Sequence, residues 1–139
     1  MISEKMRAQV SLEYMIVLSA LFSVILIFMP MLSETYDAGL FAIDVLNAKQ
    51  FSNDFSNSLS ELNFFSDGAK KTFEINPLNT WALKCKNKIL TIKITNSKTS
   101  HEKVITCKIP DNITFNSLIS EKTKITIEKR FSKISIKHS

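Results

Sequence analysis

Hydrophobic and polar positions divide the chain into three stretches with different periodicities. Residues 14–32 include no charged side chain, and apolar residues occur on every side of a helix drawn through them. A run of about 18–20 such residues can cross the hydrocarbon core of a bilayer as a helix, whereas the core helix of a small protein is rarely apolar all round. This stretch therefore predicts a membrane-length helix.

A second stretch repeats apolar residues mostly at steps of three and four, which indicates an amphipathic helix with one buried face. Its apolar positions are Leu40, Ile43, Leu46, Phe51, Phe55, Leu59, Leu62 and Phe65. Ser66-Asp67-Gly68 is a typical helix stop, and Pro30 either kinks the helix or ends its apolar part. We predict one long helix over residues 9–65, with its aromatic side chains in the core rather than on a binding surface.

From Lys70 onward, apolar residues alternate with Lys and Thr, as in half-buried antiparallel strands. Six segments follow this pattern, at residues 73–75, 81–85, 90–94, 105–109, 125–127 and 134–136. Residues 96–100 and 110–112 read as turns, and Asn87 reads as a tight hairpin turn. The predicted fold class is α+β. A long N-terminal helix, apolar in its first half and amphipathic in its second, packs on a small C-terminal antiparallel β-sheet or sandwich.

The formal net charge of +5 is unevenly distributed. Residues 9–66 include six acidic residues and one basic residue, for −5, and residues 67–139 include fifteen basic and six acidic residues, for +9. This difference predicts two physically distinct parts, a helix over residues 9–66 and a β-rich head over residues 67–139. The basic head is either a solvated lysine-rich surface or a surface for an acidic partner such as nucleic acid or an anionic glycan.

The charges that flank the apolar run indicate its orientation. Lys5 and Arg7 precede it, and Glu34 and Asp37 follow it, so the positive-inside rule places the N-terminus in the cytoplasm and the head outside. An ordinary secretory signal is disfavoured, because the apolar run is too long and no small-x-small cleavage site follows it. Glu13 stands at the entrance of the run. It either complements the helix N-terminus at the headgroups or has a functional role.

The segment Arg7-Ala8-Gln9-Val10-Ser11-Leu12-Glu13-Tyr14, followed by the apolar run, resembles the class III signal peptide of archaeal type IV pilins. The resemblance covers residues 5–33 and implies that prepilin peptidase cuts between Ala8 and Gln9, which makes residues 1–8 a leader peptide. The family often has Gly where this chain has Ala8, and Ala is small enough for the same role. The resemblance also implies that Glu13 pairs in the filament with the new amine of Gln9 on a neighbouring subunit.

The resemblance implies a pilin-like fold and a role as a structural subunit of an archaeal surface filament. It also implies that the head is displayed outside the cell and serves attachment. The implied partners are prepilin peptidase, other pilin subunits, the membrane before assembly and the pilus assembly machinery. Two alternatives stay open. One is a minor pilin or membrane-anchored module whose basic head binds DNA or an anionic glycan. The other is a single-pass membrane protein that is never cleaved.

Two features of the head bear on its covalent chemistry. Cys85 and Cys107 fall on inward positions of their predicted strands, where they form either a disulfide, as an exported domain allows, or two buried free thiols. Asn112-Ile113-Thr114 is an N-glycosylation sequon in a predicted turn.

Residues for catalysis or metal binding do not cluster in the sequence. His101 and His138 stand apart, and two cysteines without a nearby histidine pair do not complete a zinc site. The chain has no G-x-S-x-G, no glycine-rich phosphate loop and no H-E-x-x-H motif. We therefore predict a protein that is not an enzyme and that needs neither a cofactor nor a metal.

Overall fold

A computed structural model describes the backbone of residues 2–130 and 133–138 and the side chains of residues 9–129. One helix, α1 (Ile2–Phe64), precedes the strands. The strands are β1 (Lys70–Ile75), β2 (Thr80–Lys86), β3 (Ile89–Thr95), β4 (Glu102–Lys108), β5 (Phe115–Ile119), β6 (Thr123–Arg130) and β7 (Lys133–His138). The predicted α+β class, with a long N-terminal helix and antiparallel strands, is confirmed.

The chain divides into two compact units, Met1–Ala38 and Gly39–Ser139. The first unit consists of the N-terminal part of α1. Pro30 lies inside the helix, so the apolar part of α1 does not end there. Proline lacks the N–H that would bond to the carbonyl four residues earlier, and the helix continues without that bond.

The second unit combines the C-terminal part of α1 with two antiparallel sheets. Their strand orders are β1-β6-β7 and β4-β3-β2-β5. Lys86 pairs with Ile89, so Asn87 and Lys88 form a two-residue hairpin turn. Both turn residues have positive φ, 53° and 63°, which is the backbone of the type I′ turn that matches strand twist. The tight hairpin predicted at Asn87 is confirmed.

The hydrophobic core of the second unit joins one face of α1 to both sheets. The helix contributes the half-buried Phe41 and Val45 and the buried Ala48, Phe51, Phe55, Leu59 and Leu62. The sheets contribute residues such as Trp81, Leu83, Leu90, Ile92, Ile94, Ile119, Ile125 and Ile127. The predicted placement of the aromatic side chains of α1 in the core is thus confirmed at Phe51 and Phe55.

The predicted buried face of α1 was wrong at both of its ends. Ile43, Leu46 and Phe65 are 49%, 64% and 60% exposed. The buried face follows positions 41, 45, 48, 52, 55, 59 and 62, a regular alternation of four- and three-residue steps. This face includes Ser52 and Ala48, which are not large apolar residues and so do not contribute to the hydrophobic pattern.

Strand β5 (Phe115–Ile119) was not predicted. It pairs with β2 and forms one edge of the four-stranded sheet. The alternation of apolar and polar residues is hard to recognise in this segment. The polar Ser117 pairs with the buried Leu83, whereas the apolar Leu118 lies on the other face and is 69% exposed. The pairing with β2, rather than a two-residue hydrophobic period, therefore defines this strand.

Candidate functional site

The predicted processing and assembly residues lie on α1 in the first unit. Val10, Glu13, Tyr14 and Val17 follow steps of three and four, so they share one helix face and line a shallow groove of about 350 Å³. The Glu13 side chain is exposed and forms no hydrogen bond or ion pair with another described residue. It is thus free to meet a group from another molecule.

The predicted cleavage point also lies within α1, since the helix includes both Ala8 and Gln9. Gln9 is exposed, and the side chain of Ala8 lies outside the described side chains. A peptidase that cut here would reach the bond from the polar side of the apolar run, because the apolar stretch begins after Glu13. The structure therefore leaves the processing site as a prediction from the sequence.

The apolar stretch of α1 is fully uncovered in its unit. The large apolar side chains of residues 14–32 are 50–76% exposed. The part of α1 from Gln9 to Phe64 includes a window long and apolar enough to cross a membrane, and none of that window is buried. Because a core helix would be mostly buried, the stretch suits a membrane anchor or a signal sequence better than the interior of a soluble domain.

The two serine hydroxyls inside this stretch are bonded within the helix. Ser19 donates to the Met15 carbonyl at 2.7 Å, and Ser23 donates to the Ser19 carbonyl at 2.8 Å. These bonds give both serine hydroxyls an acceptor when water is absent. The serines therefore do not oppose placement of the stretch in lipid or among other apolar helices.

The outward face of the four-stranded sheet is basic. Lys84, Lys86, Lys93 and Lys108 lie on it, on neighbouring strands β2, β3 and β4. The Lys93 ammonium lies 2.9 Å from the Glu102 carboxylate, and the other three lysines form no ion pair with a described residue. This face therefore presents a concentrated positive charge.

The aromatic residues of the head do not accompany these lysines. Trp81 is buried, Phe73 and Phe115 are half-buried, and Phe131 lies outside the described residues. Binding of single-stranded nucleic acid usually needs exposed rings on which bases stack. Contact with an anion on this face would rest on charge alone.

The two cysteines are free thiols, the second of the two alternatives that the sequence left open. Leu90 pairs with Cys85 on one side and with Cys107 on the other, so strand β3 lies between the two cysteines. Two strand spacings amount to about 10 Å, beyond the 4.4–6.8 Å that a disulfide needs between Cα atoms. Cys85 is buried and Cys107 half-buried, so their inward position is as predicted.

The sequon lies in an ordered loop after β4. Asn112 is exposed, and its neighbour Ile113 is buried with 8% exposure. The Asn63 carboxamide on α1 donates to the Asp111 carboxylate at 3.1 Å, which anchors the loop to the helix. Asn112 is thus accessible for modification, and its glycosylation stays a prediction.

The remaining candidate residues stay apart. His101 is exposed, with its ring 6.1 Å from that of Phe41, and the side chain of His138 lies outside the described side chains. Among the described residues no three His, Cys, Asp or Glu side chains form a group that could hold a metal ion.

The sequence does not indicate a cleft that lies between α1 and the strands of the second unit. It lies beside Trp81. Among its polar residues, Asn47 and Gln50 look like an ordinary helix surface, and Asn76 is distant from them in the sequence.

No family model, curated protein or solved structure matches this chain.

Proposed function

We propose that this chain is a structural subunit of an archaeal type IV pilus-like surface filament, processed by prepilin peptidase and serving surface attachment. The observation that supports this proposal best is the uncovered apolar stretch of residues 14–32, headed by the Gln9-to-Glu13 segment with its exposed carboxylate. Before assembly the stretch lies in the membrane. Afterwards it lies among the helices of other subunits.

Assembly follows from the physical chemistry of this stretch. An apolar surface of this extent must be covered by lipid or by protein. Once helices replace lipid, the Glu13 carboxylate enters an environment of low polarity, where an unpaired charge is costly. Cleavage before Gln9 creates an amine on the neighbouring subunit, and that amine is the natural partner of the carboxylate.

The second unit supports the same proposal. Ile43 and Leu46 lie on the side of α1 that the sheets leave uncovered, and they are 49% and 64% exposed. Neighbouring subunits would cover these side chains in a filament. The head, with its nine net positive charges, would remain at the outer surface, available for attachment.

N-terminal sequencing of the mature protein tests processing directly. We expect Gln9 as the first residue. Ala8→Leu should block cleavage, because the peptidase needs a small residue there, whereas Ala20→Leu within the apolar run should leave cleavage unchanged. A mature chain that begins at Met1 would instead indicate the uncleaved single-pass membrane protein.

A second candidate function is supported by the basic face of the four-stranded sheet. A minor pilin or membrane-anchored module could use Lys84, Lys86 and Lys108 to bind DNA or an anionic glycan through charge. Such binding should weaken steeply with salt. Replacing these three lysines with Gln should abolish it, whereas replacing Lys71, Lys122 and Lys124 should preserve most of it. No binding at low salt would exclude this function.

A further inference from the structure

Strand β5 is an open edge of the four-stranded sheet. It stands at one end of the strand order, with β2 on its inner side. Within the part of the chain that the structure describes, its ladder with β2 accounts for all of its backbone pairing with other strands. An edge of this kind presents N–H and C=O groups on which a further strand can form.

The alternation of hydrogen bonds identifies the groups that face outward. Asn96, directly after β3, donates its N–H to the His101 carbonyl at 3.0 Å, so the even-numbered residues of β3 bond toward β4 and its odd-numbered residues toward β2. By the same alternation, β2 bonds to β5 through its odd-numbered residues, which pair with the odd-numbered residues of β5. Asn116 and Leu118 therefore direct their N–H and C=O groups away from the sheet.

Strand β5 differs from the other edge strands of the second unit in charge. Lysine on an edge strand is a common protection against pairing with another chain. The other edge strands β1, β4 and β7 all contain lysine. Strand β5 has the sequence Phe-Asn-Ser-Leu-Ile, without charge or proline, and its Leu118 side chain is 69% exposed. This edge thus lacks the residues that usually prevent strand pairing.

We propose that two copies of this chain associate by antiparallel pairing of their β5 strands, which joins their four-stranded sheets into one. The pairing is centred on Ser117, so that Asn116 of each copy lies opposite Leu118 of the other. This is the one symmetric register in which both outward-facing residues find their partners within β5. On the inner face it sets Phe115 beside Ile119 of the other copy, an aromatic and β-branched pair that stabilises a sheet.

A second copy suits this edge better than a charged peptide does. The head has nine net positive charges, so two heads repel each other where their lysines meet, and β5 offers an approach without a charged residue on either strand. An acidic peptide would instead be drawn to the lysine-bearing edges and to the basic sheet face.

The expected contact is weak between single copies. A strand of five residues offers less surface than the about 1,200–2,000 Å² of a stable interface. Repetition of the contact between arrays of subunits would strengthen it. The proposal does not rest on filament assembly, because β5 lies within the second unit.

Cysteine cross-linking of the full chain in detergent micelles tests the register. The background is Cys107→Ser, which removes the half-buried native thiol. Ser117→Cys sets two thiols opposite each other, since such a pair has Cα atoms about 4.5 Å apart, within the range for a disulfide. Leu118→Cys is the matched control, because its two copies lie diagonally, about 7–8 Å apart. We expect several-fold more covalent dimer from Ser117→Cys, whereas random collision would favour the more exposed position 118.

Sedimentation of the full chain in the same micelles tests the edge without added cysteines. Leu118→Lys should weaken association about tenfold, because it removes an apolar contact and adds like charges along the joined strands. Val104→Lys is the matched control. Val104 is 52% exposed on the same sheet face, on the opposite edge strand β4, and its replacement should leave association unchanged.

Three results would overturn the proposal. The first is a chain that stays monomeric at every concentration. The second is cross-linking of Leu118→Cys as efficient as that of Ser117→Cys. The third is an equal effect of Leu118→Lys and Val104→Lys on association, including no effect of either, which would assign self-association to another surface. Cleavage before Gln9 is measured separately, so none of these results bears on the proposed processing.

Discussion

At the scale of single residues, the most consequential side chain in the second unit is a buried carboxylate. Asp44 on α1 is 0% exposed, and it fixes the connection between β1 and β2. It accepts from the Leu78 N–H at 3.2 Å, the Asn79 N–H at 2.8 Å and the Asn79 carboxamide at 3.0 Å. Three such bonds satisfy the charge within the protein, so the carboxylate links the helix to the head.

Asp44→Ala should therefore destabilise the second unit strongly. It leaves two backbone donors and one carboxamide donor without their acceptor, and we expect the free energy of unfolding to fall by about 3 kcal/mol. Asp44→Asn keeps one acceptor oxygen, so its free energy of unfolding should lie between those of Asp44→Ala and the wild type. Denaturant unfolding followed by Trp81 fluorescence measures the change. The exposed Asp54→Ala is the control, and an equal effect of both alanine variants would contradict the role given to Asp44.

The two cysteines should differ in reactivity. Burial raises the pKa of the Cys85 thiol, and the buried thiol is also out of reach of a reagent. Since the thiolate is the reactive form, Cys85 should stay unmodified in the folded protein, while the half-buried Cys107 reacts with a maleimide. Mass spectrometry should find one label on the native chain and two after denaturation, with Cys107→Ser as the control. If the denatured chain takes up two labels without reductant, a disulfide is also excluded. Equal labelling of Cys85 and Cys107 in the native chain would contradict the burial of Cys85.

At the scale of elements, a lysine on β6 stabilises the end of α1. The Lys129 ammonium donates to the Asn63 carbonyl at 3.0 Å and to the Phe65 carbonyl at 2.8 Å. The last carbonyls of a helix lack partners within the helix and bear a partial negative charge, so a cation there stabilises the end. The helix has no basic residue of its own in its last turn. Lys129 therefore supplies from β6 the cation that the helix sequence lacks.

Lys129→Met should loosen this end of α1. The change keeps the apolar stem and removes both hydrogen bonds, and we expect a loss of about 1–2 kcal/mol in the free energy of unfolding. Hydrogen exchange should accelerate mostly in the last turn of α1. Lys124→Met, on the same strand, is the matched control. If exchange in that turn were the same in both variants, Lys129 would not cap the helix.

Most elements follow from local sequence, and the exceptions have physical reasons. The amphipathic helix and six of the strands could be predicted because alternation and helical period reflect which side of each element is buried. The sequence around Asp44 gives no sign of its burial, since only the β1–β2 connection that folds over it makes that burial favourable. Strand β5 depends on its pairing with β2. These features arise from tertiary contacts that no local pattern encodes.

At the scale of the whole molecule, the parts differ in how far their sequences indicate function. The proposed processing and assembly are inferred from a short segment, because a membrane-length helix and its leading residues are recognisable from composition and order. The cleft beside Trp81 could not be found this way. Asn47, Gln50, Phe73 and Trp81 come together only when α1 packs on the strands. A cleft made by packing has no contiguous motif.

The charge of Glu13 gives the strongest test of the proposed filament. Glu13→Ala should keep membrane insertion and cleavage before Gln9, because the apolar run and the leader are unchanged. It should abolish most filament formation, since a buried ion pair that loses one partner costs about 3–5 kcal/mol, repeated at every subunit contact. Electron microscopy of sheared surface filaments measures their yield, and the mature subunit in the membrane fraction confirms processing. Glu34→Ala, an exposed carboxylate beyond the apolar run, is the matched control and should assemble normally. Wild-type filament yield from Glu13→Ala would show that the carboxylate is only an interfacial charge at the start of the helix.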